Sequence, residues 1–166
     1  MEKVARHQLV LLLGSNMQHP AAQLERAITY IRSRIGTIEN SSDIYQTAAW
    51  GLTEQDDFLN QVLIVSTALS PQECMQLILD IEHAMGRIRT TRNAPRIIDI
   101  DILLYDSIVL REDGLTIPHP LMQERRFVLQ PLADLMPGYI HPVFHTSIAR
   151  MLATCSDKGI VKKNLD

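Results

Sequence analysis

Five consecutive apolar residues, Leu9-Val10-Leu11-Leu12-Leu13, are closed by Gly14-Ser15-Asn16. A short unbroken apolar run ended by turn formers reads as a strand covered on both faces, and therefore as a central strand of a sheet. Two helical patterns flank the middle of the chain. From Pro20, residues Leu24, Ala27, Ile28, Ile31 and Ile35 recur at helical spacing, with Arg32 and Arg34 in the last turn and Gly36 as the stop. Ser70-Pro71-Gln72-Glu73 is a capping-box start, and Cys74, Leu77, Ile78, Ile81 and Met85 form an apolar stripe that ends at Gly86. Residues 37–46 and 58–69 read as extended, separated by a loop over 47–57. The β-branched, alternating segment Ile97-Ile98-Asp99-Ile100-Asp101-Ile102-Leu103-Leu104 is a further strand, followed by a hairpin around Arg111-Glu112-Asp113-Gly114 and a short helix bearing Arg125-Arg126-Phe127.

This order predicts an α+β fold: a ferredoxin-like βαββαβ core, a mainly antiparallel sheet with helices packed on it, plus a C-terminal hairpin and short-helix extension. Residues 1–155 form one catalytic domain on this reading, and residues 156–166 a polar, frayed tail. The 166 residues are 46% hydrophobic and 21% charged, enough for one core and too apolar for a disordered chain. No apolar run approaches the roughly 20 residues of a membrane helix, and the five-residue run is too short for a signal peptide, so the expectation is a cytoplasmic protein without a membrane partner. A net charge of −3 makes any basic site a local one and gives no global pull toward nucleic acid. Cys74 and Cys155 are too few and too far apart for a disulfide framework or a zinc motif, and both read as reduced.

Asp99 and Asp101 carry the strongest chemical signal. On a strand, residues i and i+2 share a face, which puts two carboxylates roughly 7 Å apart at their Cα atoms. A bare sheet edge could carry such a pair in solvent, but here the opposite register is isoleucine, so the strand stands on a core. Hard carboxylate oxygens suit Mg²⁺ with positions left for water and phosphate oxygens. The preceding loop supplies Arg87, Arg89, Arg92 and Arg96, forks suited to phosphate, and its position between Gly86 and a proline suits closure over a polyphosphate. With no glycine-rich phosphate cradle in the sequence, side chains must hold the phosphates. Carboxylates and arginines together are the electrostatic half of a phosphoryl-transfer site, where two metal ions can clamp the attacking and leaving oxygens. His119 stands between Pro118 and Pro120, a restricted backbone that suits a positioned side chain, and Arg125 and Arg126 offer two more phosphate-binding candidates, one of them expected to be a solvated surface arginine. Phe58 and Asn60 share a strand face, an aromatic beside an amide able to stack on and read a heterocycle, and Trp50 and Gly51 lie in the loop before them.

These residues resemble the 6-hydroxymethyl-7,8-dihydropterin pyrophosphokinases of folate biosynthesis. The resemblance runs from about Leu9 to about Pro142, through Gly14-Ser15-Asn16, Phe58-Leu59-Asn60, Glu82 with Gly86-Arg87-Ile88-Arg89, Pro95-Arg96-Ile97-Ile98-Asp99-Ile100-Asp101-Ile102-Leu103, Pro118-His119-Pro120 and Arg125-Arg126-Phe127-Val128-Leu129. It implies transfer of a pyrophosphoryl group from the co-substrate ATP to the pterin hydroxymethyl group with release of AMP, with two Mg²⁺ ions on Asp99 and Asp101. By the same resemblance Arg87 and Arg96 join those carboxylates as catalytic residues. Arg89, Arg92, His119 and Arg125 surround the triphosphate, and Glu82, Ile102 and Thr116 lie near the nucleoside end. Phe58 and Phe127 sandwich the pterin, with Asn60, Thr47 and Trp50 at its amide edge. Asn93, Ala94 and Pro120 depart from the family's commoner residues. The partners are then the two small-molecule substrates, with no nucleic acid or membrane, and the chain acts as a monomer.

Two other readings use the same features. Nucleotidyltransferases also combine a Gly-Ser turn with an Asp-x-Asp pair, but there the pair follows the turn closely, whereas here most of the core intervenes. A ferredoxin-like RNA-binding module would stack bases on central-strand aromatics, and residues 9–13 supply none.

Overall fold

The computed structural model describes residues 4–48, 56–87 and 96–164. The sequence-predicted site residues Trp50, Arg89 and Arg92 lie outside them, as do Gly51, Asn93 and Ala94. In chain order the elements are β1 (His7–Ser15), α1 (Pro20–Arg34), β2 (Thr37–Ser41), β3 (Tyr45–Thr47), β4 (Phe58–Thr67), α2 (Pro71–Ala84), β5 (Asp99–Tyr105), β6 (Leu110–Glu112), β7 (Leu115–Ile117), α3 (Arg126–Leu135), α4 (Ile148–Ala153) and β8 (Val161–Lys163).

The apolar run does become the central strand: β1 pairs antiparallel with β4 on one side and β5 on the other. β4 then pairs with β2 and β3, giving β5-β1-β4-β2, the antiparallel order of a ferredoxin-like core. The alternation of β1 splits its side chains between two cores. Leu9, Leu11 and Leu13 meet Leu24, Ala27 and Ile31 of α1 and Cys74, Ile78 and Ile81 of α2. Val10 and Leu12 face the other way, against Val128, Leu129 and Leu132 of α3 and Ile148 and Met151 of α4. The C-terminal extension is therefore a second helical layer on the opposite face, the face an RNA-binding module of this topology would leave open. Cys74 and Cys155 are both free and buried, one in each core.

Two glycines stop the first two helices for different reasons. After α1, a Cβ on Gly36 would come within 2.1 Å of the Ser66 carbonyl oxygen, so only glycine lets the chain turn against β4. Gly86 has φ +89° after α2, and its N–H bonds the His83 carbonyl while the Arg87 N–H bonds that of Glu82. That is a Schellman ending, which fixes where Arg87 leaves the helix. At the other end of α2 the predicted capping box is present, with Ser70 and Glu73 bonded reciprocally.

The structure departs from the sequence reading in the region after residue 155. Residues 161–163 are not frayed: β8 pairs with β3 at the edge of the sheet. A three-residue edge strand of sequence Val-Lys-Lys carries no apolar alternation by which to announce itself. No helix among the described residues is long and apolar enough to cross a membrane.

Candidate active site

A cleft of about 610 Å³ opens at the end of the sheet where β1 finishes and β4 and β5 begin. Its floor follows from strand register. Gly14 pairs with Asn60 on one side and Asp99 on the other, and Leu12 with Val62 and Asp101. Asn60, Gly14 and Asp99 thus form one cross-strand row, and the bare glycine leaves the floor open between amide and carboxylate.

Asn60 is 4% exposed and donates from Nδ2 to Thr47 Oγ1 at 3.1 Å. That bond leaves Asn60 Oδ1 as an acceptor and the Thr47 hydroxyl hydrogen as a donor. Phe58 and Phe127 line the same cleft, each with a guanidinium 5.8 Å from its ring centre, Arg96 over Phe58 and Arg125 over Phe127. Two aromatic rings with an amide and a hydroxyl at hand suit a flat, hydrogen-bonding heterocycle.

The other half of the cleft is charged. Asp99 and Asp101 project into it from β5. Arg87 Nη1 bonds Asp99 Oδ1 at 2.5 Å and Glu82 Oε2 at 2.7 Å, and Arg96 Nη1 lies 3.9 Å from Asp99 Oδ2. Glu82 is not among the lining residues: it is buried at the end of α2, where Oε2 also accepts the Ile100 N–H at 2.9 Å. It therefore ties Arg87 to the start of β5 from behind. Burial raises the Glu82 pKa. Burial opposes the charge on Arg87, but Asp99 and Glu82 outweigh it and raise its pKa. Asp101 is pushed up to about 7 by burial, then by the like charges of Asp99 and Glu82.

His119 also lines the cleft. Its Nδ1 accepts the Leu121 N–H at 3.2 Å, so the neutral ring carries its proton on Nε2. Burial, then the nearby Arg125, lowers its pKa and keeps it neutral. Of the remaining predicted residues, Ile102 packs into the core beneath the first two helices, and Thr116 sits half-buried on β7 opposite Arg111. Neither lines the cleft. Sequence reasoning treated Asn16 as a turn residue only, yet its Oδ1 accepts the Arg96 N–H at 2.8 Å and its Nδ2 donates to the Asp56 carbonyl at 3.1 Å. Gly14 was legible as a turn former but not as the gap between the two halves of the floor.

The family model for 7,8-dihydro-6-hydroxymethylpterin-pyrophosphokinase matches residues 10–137, which span every described residue of this cleft. The chain belongs to that family. Among curated pyrophosphokinases of the family, that of Methylorubrum extorquens is 37% identical over 150 residues, covering 89% of this chain and 93% of its own. That of Aquifex aeolicus is 39% identical over 132 residues, covering 80% and 82%. The folic acid synthesis protein FOL1 of Dictyostelium discoideum is 46% identical over 122 residues, which are 74% of this chain but 19% of that longer protein. A crystal structure of a Plasmodium falciparum HPPK-DHPS triple mutant superposes with a TM-score of 0.75 at 19% identity, over 92% of this chain and 44% of that one, a likeness of fold. This chain therefore spans about a fifth of FOL1 and less than half of the Plasmodium protein, but nearly the whole of the Methylorubrum enzyme.

A pyrophosphokinase uses ATP, and the acidic end of the cleft fits Mg²⁺. Its donors are hard oxygens, and burial beside Asp99 disfavours the ionised Asp101, as expected where a cation is to supply the countercharge. Among the described residues no third His, Cys, Asp or Glu completes a protein cage, which leaves coordination positions to phosphate oxygens and water.

Proposed function

We propose that this chain transfers a pyrophosphoryl group from ATP to the hydroxymethyl oxygen of 6-hydroxymethyl-7,8-dihydropterin. The pterin oxygen bonds to the β-phosphorus, the bond from that phosphorus to the α–β bridging oxygen breaks, AMP leaves, and the hydroxyl proton passes to solvent. The observation that carries the reading is the row Asn60–Gly14–Asp99, which joins a heterocycle-reading amide to a phosphate-handling carboxylate across a side-chain-free floor.

In this reading Phe58 and Phe127 sandwich the pterin, while Asn60 Oδ1 accepts from its amide edge and the Thr47 hydroxyl donates to it. Trp50 is assigned to the same edge by the family resemblance alone. Asp99 and Asp101 hold two Mg²⁺ ions, which when bound neutralise the phosphate oxygens and make the β-phosphorus more electrophilic. Arg87, Arg96 and Arg125 contribute positive charge to the triphosphate, and the neutral His119 offers its Nε2–H. Arg89 and Arg92 join them by resemblance. Glu82 works through Arg87 and the Ile100 amide, and with Ile102 and Thr116 it belongs to the α2, β5 and β7 side assigned to the nucleoside. Fixed charges of this kind act by positioning and by stabilising the transferring group, the main contributions in phosphoryl transfer. The chain is taken to act as a monomer on these two small molecules in the cytoplasm.

The test is AMP formation from Mg-ATP with and without the dihydropterin, with the pyrophosphorylated pterin identified by mass. Product that requires both the pterin and Mg²⁺ supports the reading. AMP formed equally without pterin, or none from folded protein that binds ATP, would overturn it.

A further inference from the structure

We propose that residues 157–164 are a positioning strap that holds β3 and α3, the elements that bring Thr47 and Phe127 to the pterin slot, at a fixed separation; this rests on the reading of the cleft just given. None of these residues lines the cleft. Their effect is on the elements that carry Thr47 and Phe127.

β3 is a strand of only three residues, and β4 alone would leave its outer edge unpaired. β8 covers that edge along its whole length, pairing Thr47 with Val161, Gln46 with Lys162 and Tyr45 with Lys163. The pairing extends one residue further, where the Asn164 N–H donates to the Ile44 carbonyl at 2.7 Å, and Lys163 Nζ lies 3.2 Å from Asp43 Oδ2. Thr47, the partner of Asn60, is thus held from both sides.

α3 begins with an unusual cap. Its N-cap residue Arg125 makes no side-chain cap, and the half-buried helix end would leave the Arg126 N–H unpaired. Asp157 supplies the missing acceptor from the far end of the chain, with Oδ2 taking the Arg126 N–H at 3.1 Å. Its other oxygen accepts the Gly159 N–H at 2.8 Å, which fixes the carboxylate's orientation. Phe127 follows directly, so Asp157 caps the turn that carries the second pterin-stacking ring. Between the two elements, the Tyr45 hydroxyl donates to the Asp134 carboxylate on α3. One eight-residue segment therefore grips β3 by backbone pairing and α3 by a helix cap, at the residues next to Thr47 and Phe127. It lies beyond the stretch matched by the family model, which ends at residue 137.

The experiment compares the full chain with a chain ending at Gly159, with Asp157→Ala and with Asp157→Asn. Dihydropterin is titrated by its fluorescence in the presence of Mg²⁺ and a non-hydrolysable ATP analogue, the analogue is titrated separately, and both are done well below the Tm of each variant. The truncation, which removes β8, and Asp157→Ala, which removes the cap, are each expected to weaken pterin binding about fivefold or more, while analogue affinity stays within about twofold. Asp157→Asn keeps an uncharged acceptor and is expected to recover most of the pterin affinity. Unchanged pterin affinity, or equal weakening of both ligands, would overturn the strap. If the truncated chain does not fold, the Asp157 pair decides the matter. A full chain that binds the analogue but no pterin would overturn the reading of the cleft, and the strap with it.

Discussion

Asn60 and Asp99 lie in one cross-strand row, two strands apart, with Gly14 between them. Strand spacing separates them by roughly 10 Å. A Cβ on Gly14 would fall 2.9 Å from Asn60 Oδ1, and that oxygen cannot swing away without breaking the Nδ2 bond to Thr47. Gly14 has no positive φ, so alanine meets no backbone penalty there. Gly14→Ala is therefore expected to raise the pterin KM about tenfold while changing the ATP KM little, measured by steady-state assays varying each substrate. An unchanged pterin KM would mean that the Asn60 amide does not read the pterin.

Asn16 ties the Arg96 backbone to the end of β1 twice, through its own N–H to the Arg96 carbonyl at 3.1 Å and through Oδ1 to the Arg96 N–H at 2.8 Å. Asn16→Ala removes the side-chain bond and the one to Asp56 together. The expected outcome is a loss of about 1–3 kcal/mol of stability from the unpaired backbone groups, with a fall in kcat/KM of at least about tenfold because Arg96 loses its anchor. Thermal unfolding and turnover measured on one preparation check both, and undiminished turnover would remove Asn16 from the positioning of Arg96.

What the sequence made legible was local. Pro20 and Gly36, Ser70 with Glu73, and Gly86 bracket the first two helices by their own backbone chemistry, and period-two alternation put Asp99 and Asp101 on one face without any knowledge of neighbours. The gap at Gly14 depends on the register of three strands at once, and register is a non-local property. Glu82 is placed near the nucleoside end by resemblance alone, and its burial is not legible because it arises from β5 arriving with the Ile100 N–H. The second helical layer is legible only as a short helix bearing Arg125, Arg126 and Phe127, because Pro131 within α3 disguises its length and the packing of Val128, Leu129 and Leu132 on the sheet is non-local. β8 could not be read at all, since its stabilisation comes from β3 and not from its own side chains.

Arg87 and Arg96 are separable. Arg87 is 11% exposed and bonds the buried Glu82, whereas Arg96 is 26% exposed and stands 3.9 Å from Asp99. Arg87→Ala would leave Glu82 as a buried carboxylate without that partner, at a cost of about 3–5 kcal/mol. Arg96→Ala leaves no such group behind. Both variants are expected to lose turnover, but denaturant unfolding should show a large loss of stability for Arg87→Ala and less than about 1 kcal/mol for Arg96→Ala. Equal stabilities would show that Arg87 has no structural role.

Asp101 works against the fold that holds it. Its carboxyl is raised from 3.8 to about 7 by burial, then by Asp99 and Glu82. A carboxyl with a raised folded-state pKa prefers its neutral form in the native protein, so the metal-free fold loses stability as pH climbs from about 4 to about 7 and does not regain it above. The full shift corresponds to about 4 kcal/mol, and access of cleft water reduces it to about 2. Asp101→Asn removes that charge. In EDTA the variant is expected to unfold at a higher Tm than the parent at pH 8 and at the same Tm at pH 4, while losing pyrophosphoryl transfer by several orders of magnitude. Added Mg-ATP should raise the parent's Tm far more than the variant's, since only the parent offers both carboxylates. A variant less stable than the parent at pH 8 in EDTA would mean that the ionised Asp101 is compensated within the protein and is not waiting for a cation.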